Sequence, residues 1–398
     1  KITVAETSNN CLLKYNPPQM LEGDDEDNFN KLLYRNFIDL GEGYNTSVNW
    51  GKNKKGYNYI CTDFLPTQET PKVDYKPSKV EGDNVILLIE EKTLSMRFLS
   101  TLSDASDEGV LKVLTNFIDA YKTWIDEKRV DLNLEKTNDP NLNSDLLKTE
   151  LNACEKDYNR LKRNIHLLEN NEEAMAAFRT MNTAMFMQLH HSISKNKNKP
   201  FIPKDEINEG ESYYKNVILE RDYAWRSFQL AFIILNIDAF VKPDENDETV
   251  EDVFKLGWPE RNEIADLVWF PTGGGKTEAY LGIIAFTIAL RRFTKGEKAH
   301  GTTVLMRYTL RMLTLQQFQR ATLLILALET IRKDEFSMPN TFKLGSERIS
   351  IGLFVGGDTL PNNWSTGGQD INDGSMVNEL KKISVSIKNN TKLESKLP

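Results

Sequence analysis

The chain has 398 residues, of which 39% are hydrophobic and 27% charged, the composition of a soluble globular protein with two or three domains. Its formal net charge is −8 and its isoelectric point is about 5.4, which excludes a polycation that coats nucleic acid. A local basic channel is still compatible with this balance.

The cysteines and the apolar segments favour a cytoplasmic location. Cys11, Cys61 and Cys154 are far apart and form no CxxC pair, so we expect neither a disulfide scaffold nor a zinc knuckle. No run of about 18 apolar residues occurs, and we therefore expect no membrane-spanning segment. Because the first residue is not Met, we expect the sequence to be part of a longer polypeptide.

Two regions are predicted in the first half of the chain: a mixed strand and loop region at 1–104 and a mostly helical accessory domain at 105–200. Apolar side chains at helical spacing predict a first helix over 107–129. A second helix carries an apolar seam from Leu147 to Leu168, typical of a helical hairpin or a short coiled coil, or of packing within a bundle. A third helix covers EEAMAAFRTMNTAMFMQLHH, and we expect its methionines to fill a core.

After a polar linker, the region 213–398 alternates between strands and helices. Strands and helices that alternate at these lengths indicate a parallel sheet with helices on its faces. The predicted fold class is therefore α/β, with this lobe preceded by the helical domain. The predicted strands are 266–270, 302–308 and 349–355, and the predicted helices are 276–293 and 312–333.

The segment DLVWFPTGGGKTEAYLG, residues 266–282, predicts a phosphate-binding loop between a strand and a helix. Glycines let backbone N–H groups surround a phosphate at a helix N-terminus, where the helix dipole adds positive potential. We expect Lys276 to neutralise the β- and γ-phosphates of ATP and Thr277 to ligate Mg²⁺, which makes them the candidate catalytic residues. The candidate ATP-binding residues here are Thr272, Gly273, Gly274, Gly275, Lys276, Thr277 and Glu278.

Phe270 stands where the strict pattern of a phosphate-binding loop has glycine. A glycine-rich turn that binds nothing is the alternative. However, PTGGGKT resembles the loop of superfamily 2 helicases, which reads P-T-G-x-G-K-T and in which position 270 is free to differ. That resemblance implies that the α/β region is a RecA-like lobe.

The segment VLMRYTLRMLTLQQ resembles motif Ia of the same helicases, P-T-R-x-L-x-x-Q, although Thr309 stands where Pro is usual. The resemblance implies that this turn holds a nucleic-acid backbone, with Arg311 and Gln316 on the motif positions. Donors at a helix N-terminus suit phosphate oxygens. The alternative for Arg311 is an ordinary surface arginine. Gly356 and Gly357 resemble the glycine pair after the third strand of such domains, a tight turn that would lie against a phosphate chain, or they form a simple strand exit. The candidate nucleic-acid-binding residues are therefore Thr309, Arg311, Gln316, Gly356 and Gly357.

The segment WRSFQLAF resembles the Q-motif, in which a glutamine reads adenine. A carboxamide both donates and accepts, which suits the N6 and N7 edge of adenine. Gln229 is the candidate, with Arg226 as its support, and both complete the predicted ATP-binding set. A helical glutamine that faces solvent is the alternative.

Taken together, these segments resemble the DrmA family, the helicase-like subunits of the bacterial anti-phage system DISARM. The resemblance is dense over 220–357 and thinner over 105–190. It implies a DNA-dependent ATPase or translocase with ATP and Mg²⁺ as cofactors. It also implies two partners, phage DNA and a DrmB-like subunit, and no membrane.

No Walker B strand ending in Asp-Glu follows the glycine loop, so we expect the second half of the active site outside this sequence. Two other functions stay open. One is a restriction-type translocase that feeds DNA to a nuclease. The other is a nucleotide-gated scaffold that binds ATP without strand separation and docks a partner through the seam of the second helix.

Overall fold

The computed structural model describes residues 3–6, 12, 40–41, 46–52, 54, 58–63, 91–138, 144–196, 223–242, 265–268, 274–307, 311–333, 342–353 and 375–389. The strands are β1 (Thr3–Ala5), β2 (Ser47–Lys52) and β3 (Asn58–Asp63). The helices are α1 (Asp107–Asn138), α2 (Ser144–Glu169), α3 (Glu172–Asn196), α4 (Ser227–Leu235), α5 (Lys276–Lys295), α6 (Arg311–Arg332) and α7 (Met376–Asn389). Short 3-10 turns lie at Glu91–Leu94, Ile237–Ala239 and Gly296–Lys298.

The chain divides into two compact units. The first comprises Lys1–Leu88 and Ile118–Asn159, and the second comprises Ile89–Phe117 and Arg160–Pro398. No helix in the described ranges is long and apolar enough to cross a bilayer. The predicted division at 1–104, 105–200 and 213–398 stays a prediction.

The first unit contains a small antiparallel sheet with the strand order β1-β3-β2. Thr3 on β1 lies opposite Cys61 on β3. The buried carboxylate of Glu6 accepts hydrogen bonds from the backbone N–H of Asn58 at 2.9 Å and of Leu12 at 2.7 Å. Because a buried carboxylate is stable only when it is hydrogen-bonded, this contact fixes the chain after β1 to the start of β3.

The parts of α1 and α2 that belong to the first unit form an antiparallel helical hairpin. Lys122 donates to the carboxylate of Glu155 at 3.1 Å, and the Tyr158 hydroxyl donates to the carboxylate of Asp119 at 3.3 Å. Residue numbers rise on one helix as they fall on the other, which is the pairing of antiparallel helices. This agrees with the hairpin interpretation of the apolar seam.

The core of the second unit forms where α3 packs against α5 and α6. Long unbranched side chains fill irregular gaps between helices, which explains the abundance of Met on α3. The expectation that these methionines fill a core is confirmed by their burial. The buried methionines of α3 are Met175, Met181, Met185 and Met187.

The predicted helices of the second unit match the structure more closely than the predicted strands do. Helix α5 begins at Lys276 as predicted, and α6 is shifted by one residue from the predicted 312–333. In the described parts of the predicted strands, 266–268, 302–307 and 349–353, no strand is assigned. The parallel sheet, and with it the RecA-like lobe, therefore remains a prediction.

Helix α5 approaches α4 closely at Gly282. A Cβ atom at this position would lie 2.6 Å from Cδ1 of Ile233 and 3.1 Å from the indole of Trp225. Both neighbours are buried, so neither side chain can move aside into solvent. Glycine is therefore required here by packing rather than by backbone conformation.

We expect Gly282→Ala to lower the free energy of unfolding by about 1–3 kcal/mol, because overpacking outweighs the better helix propensity of alanine. Urea denaturation followed by circular dichroism measures the change. Gly109→Ala is the matched control, since a Cβ there meets only Ser106 Oγ at 3.4 Å. The control should be neutral or stabilising by up to about 1 kcal/mol. Equal effects of the two substitutions would contradict the packing argument.

Candidate nucleotide site at the glycine loop

The glycine loop enters α5 through a left-handed residue. Gly275 is the N-cap of α5, with φ of 85° and ψ of 31°. An L-residue adopts this conformation only with strain, and a Cβ on Gly275 would lie 2.8 Å from Nε2 of Gln229. The sequence therefore needs glycine at this position for both conformation and space.

The side chain of Gln229 holds the loop in place. Its Nε2 donates to the carbonyl of Gly275 at 2.6 Å, and its Oε1 accepts from the backbone N–H of Arg226 at 2.8 Å. Gln229 is only 4% exposed, so these two contacts satisfy a buried carboxamide. The alternative of a solvent-facing glutamine is therefore wrong. Its reading of adenine stays a prediction, and the role visible in the structure is to position the loop.

Arg226 makes a second contact of the same kind. Its Nη1 donates to the carbonyl of Gly274. The N-terminus of α4 thus holds two consecutive carbonyls of the loop. In a trans peptide the N–H points opposite to the C=O, so the N–H groups of Gly275 and Lys276 point away from Arg226 and Gln229. This leaves consecutive amides directed to one side, the arrangement that an anion requires.

Lys276 and Thr277 form the first turn of α5 and are both half-buried. The first N–H groups of a helix have no partner within the helix and carry the positive end of its dipole. Gly275 has no side chain that could cap them. The start of α5 therefore fits a phosphate chain with Mg²⁺. It has no Cβ at Gly275, amides that point to one side, and Lys276 and Thr277 directly after them.

Glu278 places a carboxylate in the same first turn, and its charge is neutralised by Arg320 of α6. Nη2 of Arg320 donates to Oε1 of Glu278. The Glu278 side chain is 16% exposed and that of Arg320 is 32% exposed. Burial lowers the pKa of Arg320 from its ordinary value, as expected for a cation partly withdrawn from water. Sequence reasoning did not find Arg320, because its partner lies on another helix.

A second charged cluster fixes the segment that leads into the loop. Arg160 of α2 donates through Nε to Asp238 at 3.1 Å and through Nη1 to Asp266 at 3.0 Å. Arg163 also donates to Asp238. Burial alone would lower the pKa of Arg160, but hydrogen bonds to Asp266 and Asp238 outweigh it and raise that pKa. The cluster ties α2 and the turn after α4 to the residues that precede the glycine loop.

The structure thus brings Arg226, Gln229, Gly274 and Gly275 into one hydrogen-bonded network. Lys276, Thr277 and Glu278 follow in the first turn of α5. Helix α6 begins at Arg311, the residue on which motif Ia was placed, and the side chain of Gln316 one turn later is exposed.

In the described ranges, no group of three or more His, Cys, Asp or Glu residues could hold a metal ion. The predicted site residues that lie outside the described ranges are Thr272, Gly273, Thr309, Gly356 and Gly357.

Comparison with known proteins shows a similarity to a protein of the DISARM system. No protein-family model matches the chain. The chain is 30% identical over 346 residues, 85% of its length, to the DISARM protein DrmA of Bacillus paralicheniformis (strain ATCC 9945a / NCIMB 11709 / CD-2). It spans 27% of the length of that relative. The similarity covers more of the chain than the short motifs do.

Proposed function

We propose that the chain acts in anti-phage defence of the DISARM type, as part of an ATP-dependent DNA helicase or translocase, because it is similar to a DISARM protein DrmA over 85% of its length. In this proposal the region 213–398 is the ATP-binding first motor lobe of an ATP hydrolase. DNA is the substrate, a DrmB-like subunit is the partner, and the protein works in the cytoplasm.

The observation that carries the proposal is the left-handed Gly275 ahead of Lys276, with its carbonyl held by Gln229. Lys276 would contact the β- and γ-phosphates, Thr277 would ligate Mg²⁺, and the loop amides would surround the phosphate chain. Bound ATP supplies the bond whose hydrolysis releases the energy for movement along DNA. Arg226 and Gln229 hold the loop in the shape that receives it.

The test is ATP hydrolysis by the full-length protein with Mg²⁺, measured with and without single-stranded DNA. We expect turnover that DNA stimulates. Binding of ATP without any turnover, with or without DNA, would instead favour the nucleotide-gated scaffold. Cleavage of the DNA during ATP turnover by the full-length protein would favour the restriction-type translocase. Absence of ATP binding would refute the proposal.

Arg311→Ala is expected to weaken DNA binding and to leave ATP affinity close to that of the wild type. One phosphate contact contributes about 0.7 to the slope of log affinity against log salt for a single strand. The slope should therefore become shallower by about that amount in a fluorescence-anisotropy titration with a labelled oligonucleotide.

Arg348→Ala is the matched control for Arg311→Ala, because Arg348 is exposed and its loss removes the same charge. Its salt slope should match that of the wild type. If both variants change DNA affinity equally, the effect comes from net charge, and the motif Ia interpretation of Arg311 is wrong.

A further inference from the structure

The ion pair between Arg320 and Glu278 connects two helices whose N-termini serve the two proposed ligands. Glu278 lies in the first turn of α5, which follows the glycine loop. Arg320 lies on α6, whose first residue is Arg311. Gln316 and Arg320 are four residues apart and therefore share one face of α6. The pair is thus a side-chain contact between α6 and the first turn of α5.

The two oxygens of the Glu278 carboxylate have different neighbours. Oε1 accepts from Arg320, while Oε2 lies 3.4 Å from the position that a Cβ on Gly275 would occupy. The carboxylate therefore pairs with α6 and borders the space beside Gly275, the loop residue that Gln229 holds. A shift of α6 that moves Arg320 would move this carboxylate against Gly275.

The charge of Glu278 bears directly on phosphate binding. An unpaired carboxylate in the first turn would repel the phosphates that the loop amides attract. Arg320 offsets that repulsion as long as the pair is intact, and a partly buried pair is screened less by solvent than a surface pair. The position of Arg320 on α6 therefore contributes to the electrostatic potential at the start of α5.

We propose that Arg320 and Glu278 are a positioning pair that couples DNA binding at the start of α6 to nucleotide binding at the glycine loop. This proposal rests on the proposed function. DNA that engages the turn at Arg311 fixes α6, fixes Arg320 on Glu278 and strengthens the site for ATP. By reciprocity, ATP strengthens DNA binding by the same factor.

The test is the affinity of the full-length protein for a fluorescent ATP analogue with Mg²⁺, measured with and without a single-stranded oligonucleotide. In the wild type we expect DNA to raise this affinity by a factor in the range of about 5 to 150. In Arg320→Ala and in Glu278→Gln the factor should fall to about 1. In the double variant it should fall no further, since residues that act as a unit are not additive.

Two further variants separate coupling from folding. Arg320→Lys keeps the charge without the planar fork, so it should restore part of the DNA effect. Arg332→Ala is the matched control, because it breaks a comparable pair on the same helix, with Glu329 at 2.8 Å. That control should keep the full wild-type factor.

The coupling proposal is overturned if Arg320→Ala keeps the DNA effect, if Arg332→Ala abolishes it equally, or if the wild type binds both ligands independently. In each of these cases ATP binding itself persists, so the proposed function stands. A wild-type protein that binds no ATP analogue overturns the proposed function as well, and the two failures are therefore distinguishable.

Discussion

Lys276→Ala is expected to reduce DNA-stimulated ATP hydrolysis by at least about 100-fold, the usual cost of removing one preorganised electrostatic group. Lys276 is the first residue of α5 and directly follows the left-handed Gly275. In the proposed function, its ammonium would add its charge to the helix dipole where charge develops on the transferring phosphate. Alanine favours the helix and removes that charge. A coupled assay of phosphate release measures the loss.

Lys295→Ala is the matched control for Lys276→Ala, since it removes the same side chain from the exposed last turn of α5. Its hydrolysis rate should equal that of the wild type. Circular dichroism should show intact helices in both variants. Unchanged turnover in a folded Lys276→Ala protein would exclude the glycine loop as the catalytic phosphate site.

The sequence predicted those parts of the candidate site that depend on residues adjacent in the chain. A row of glycines followed by Lys and Thr predicts a turn into a helix, and α5 begins at Lys276 as that pattern requires. Gln229 was found as a residue of interest, but its buried contact with Gly275 depends on the approach of α4 to the loop. Arg320 is 42 residues from Glu278, and no local spacing connects them.

The fold, like the site, was predictable where neighbouring residues determine the structure and not where distant segments do. Helical spacing predicted α1 and α2 because apolar side chains recur on one side of each helix. The pairing of strands depends instead on distant segments, and the described parts of the predicted strands contain no ladder that would test it. The cluster around Asp238 joins residues from α2, from the turn after α4 and from the segment before the loop. The spacing of apolar residues along the sequence does not indicate which distant segments meet at such a cluster.

Asp238→Asn is expected to lower the free energy of unfolding of the second unit by about 3 kcal/mol, at the lower end of the cost of breaking a buried ion pair. The Asp238 side chain is 2% exposed and accepts from both Arg160 and Arg163. A neutral amide leaves two partly buried guanidinium groups with less compensation. Arg160 keeps Asp266 as a partner, which limits the loss. Urea denaturation followed by circular dichroism measures the change.

Asp126→Asn provides the control for Asp238→Asn, since Asp126 pairs with Lys122 on α1 and its side chain is 55% exposed. Exposed pairs of this kind contribute about 0–1 kcal/mol, so this variant should unfold almost as the wild type does. If Asp238→Asn costs no more than the control, the cluster adds little to folding. A large cost would instead identify it as the contact that anchors α2 to the segment before the glycine loop. In that case Asp238→Asn should also weaken binding of the ATP analogue, although Asp238 lies outside the predicted ATP-binding set.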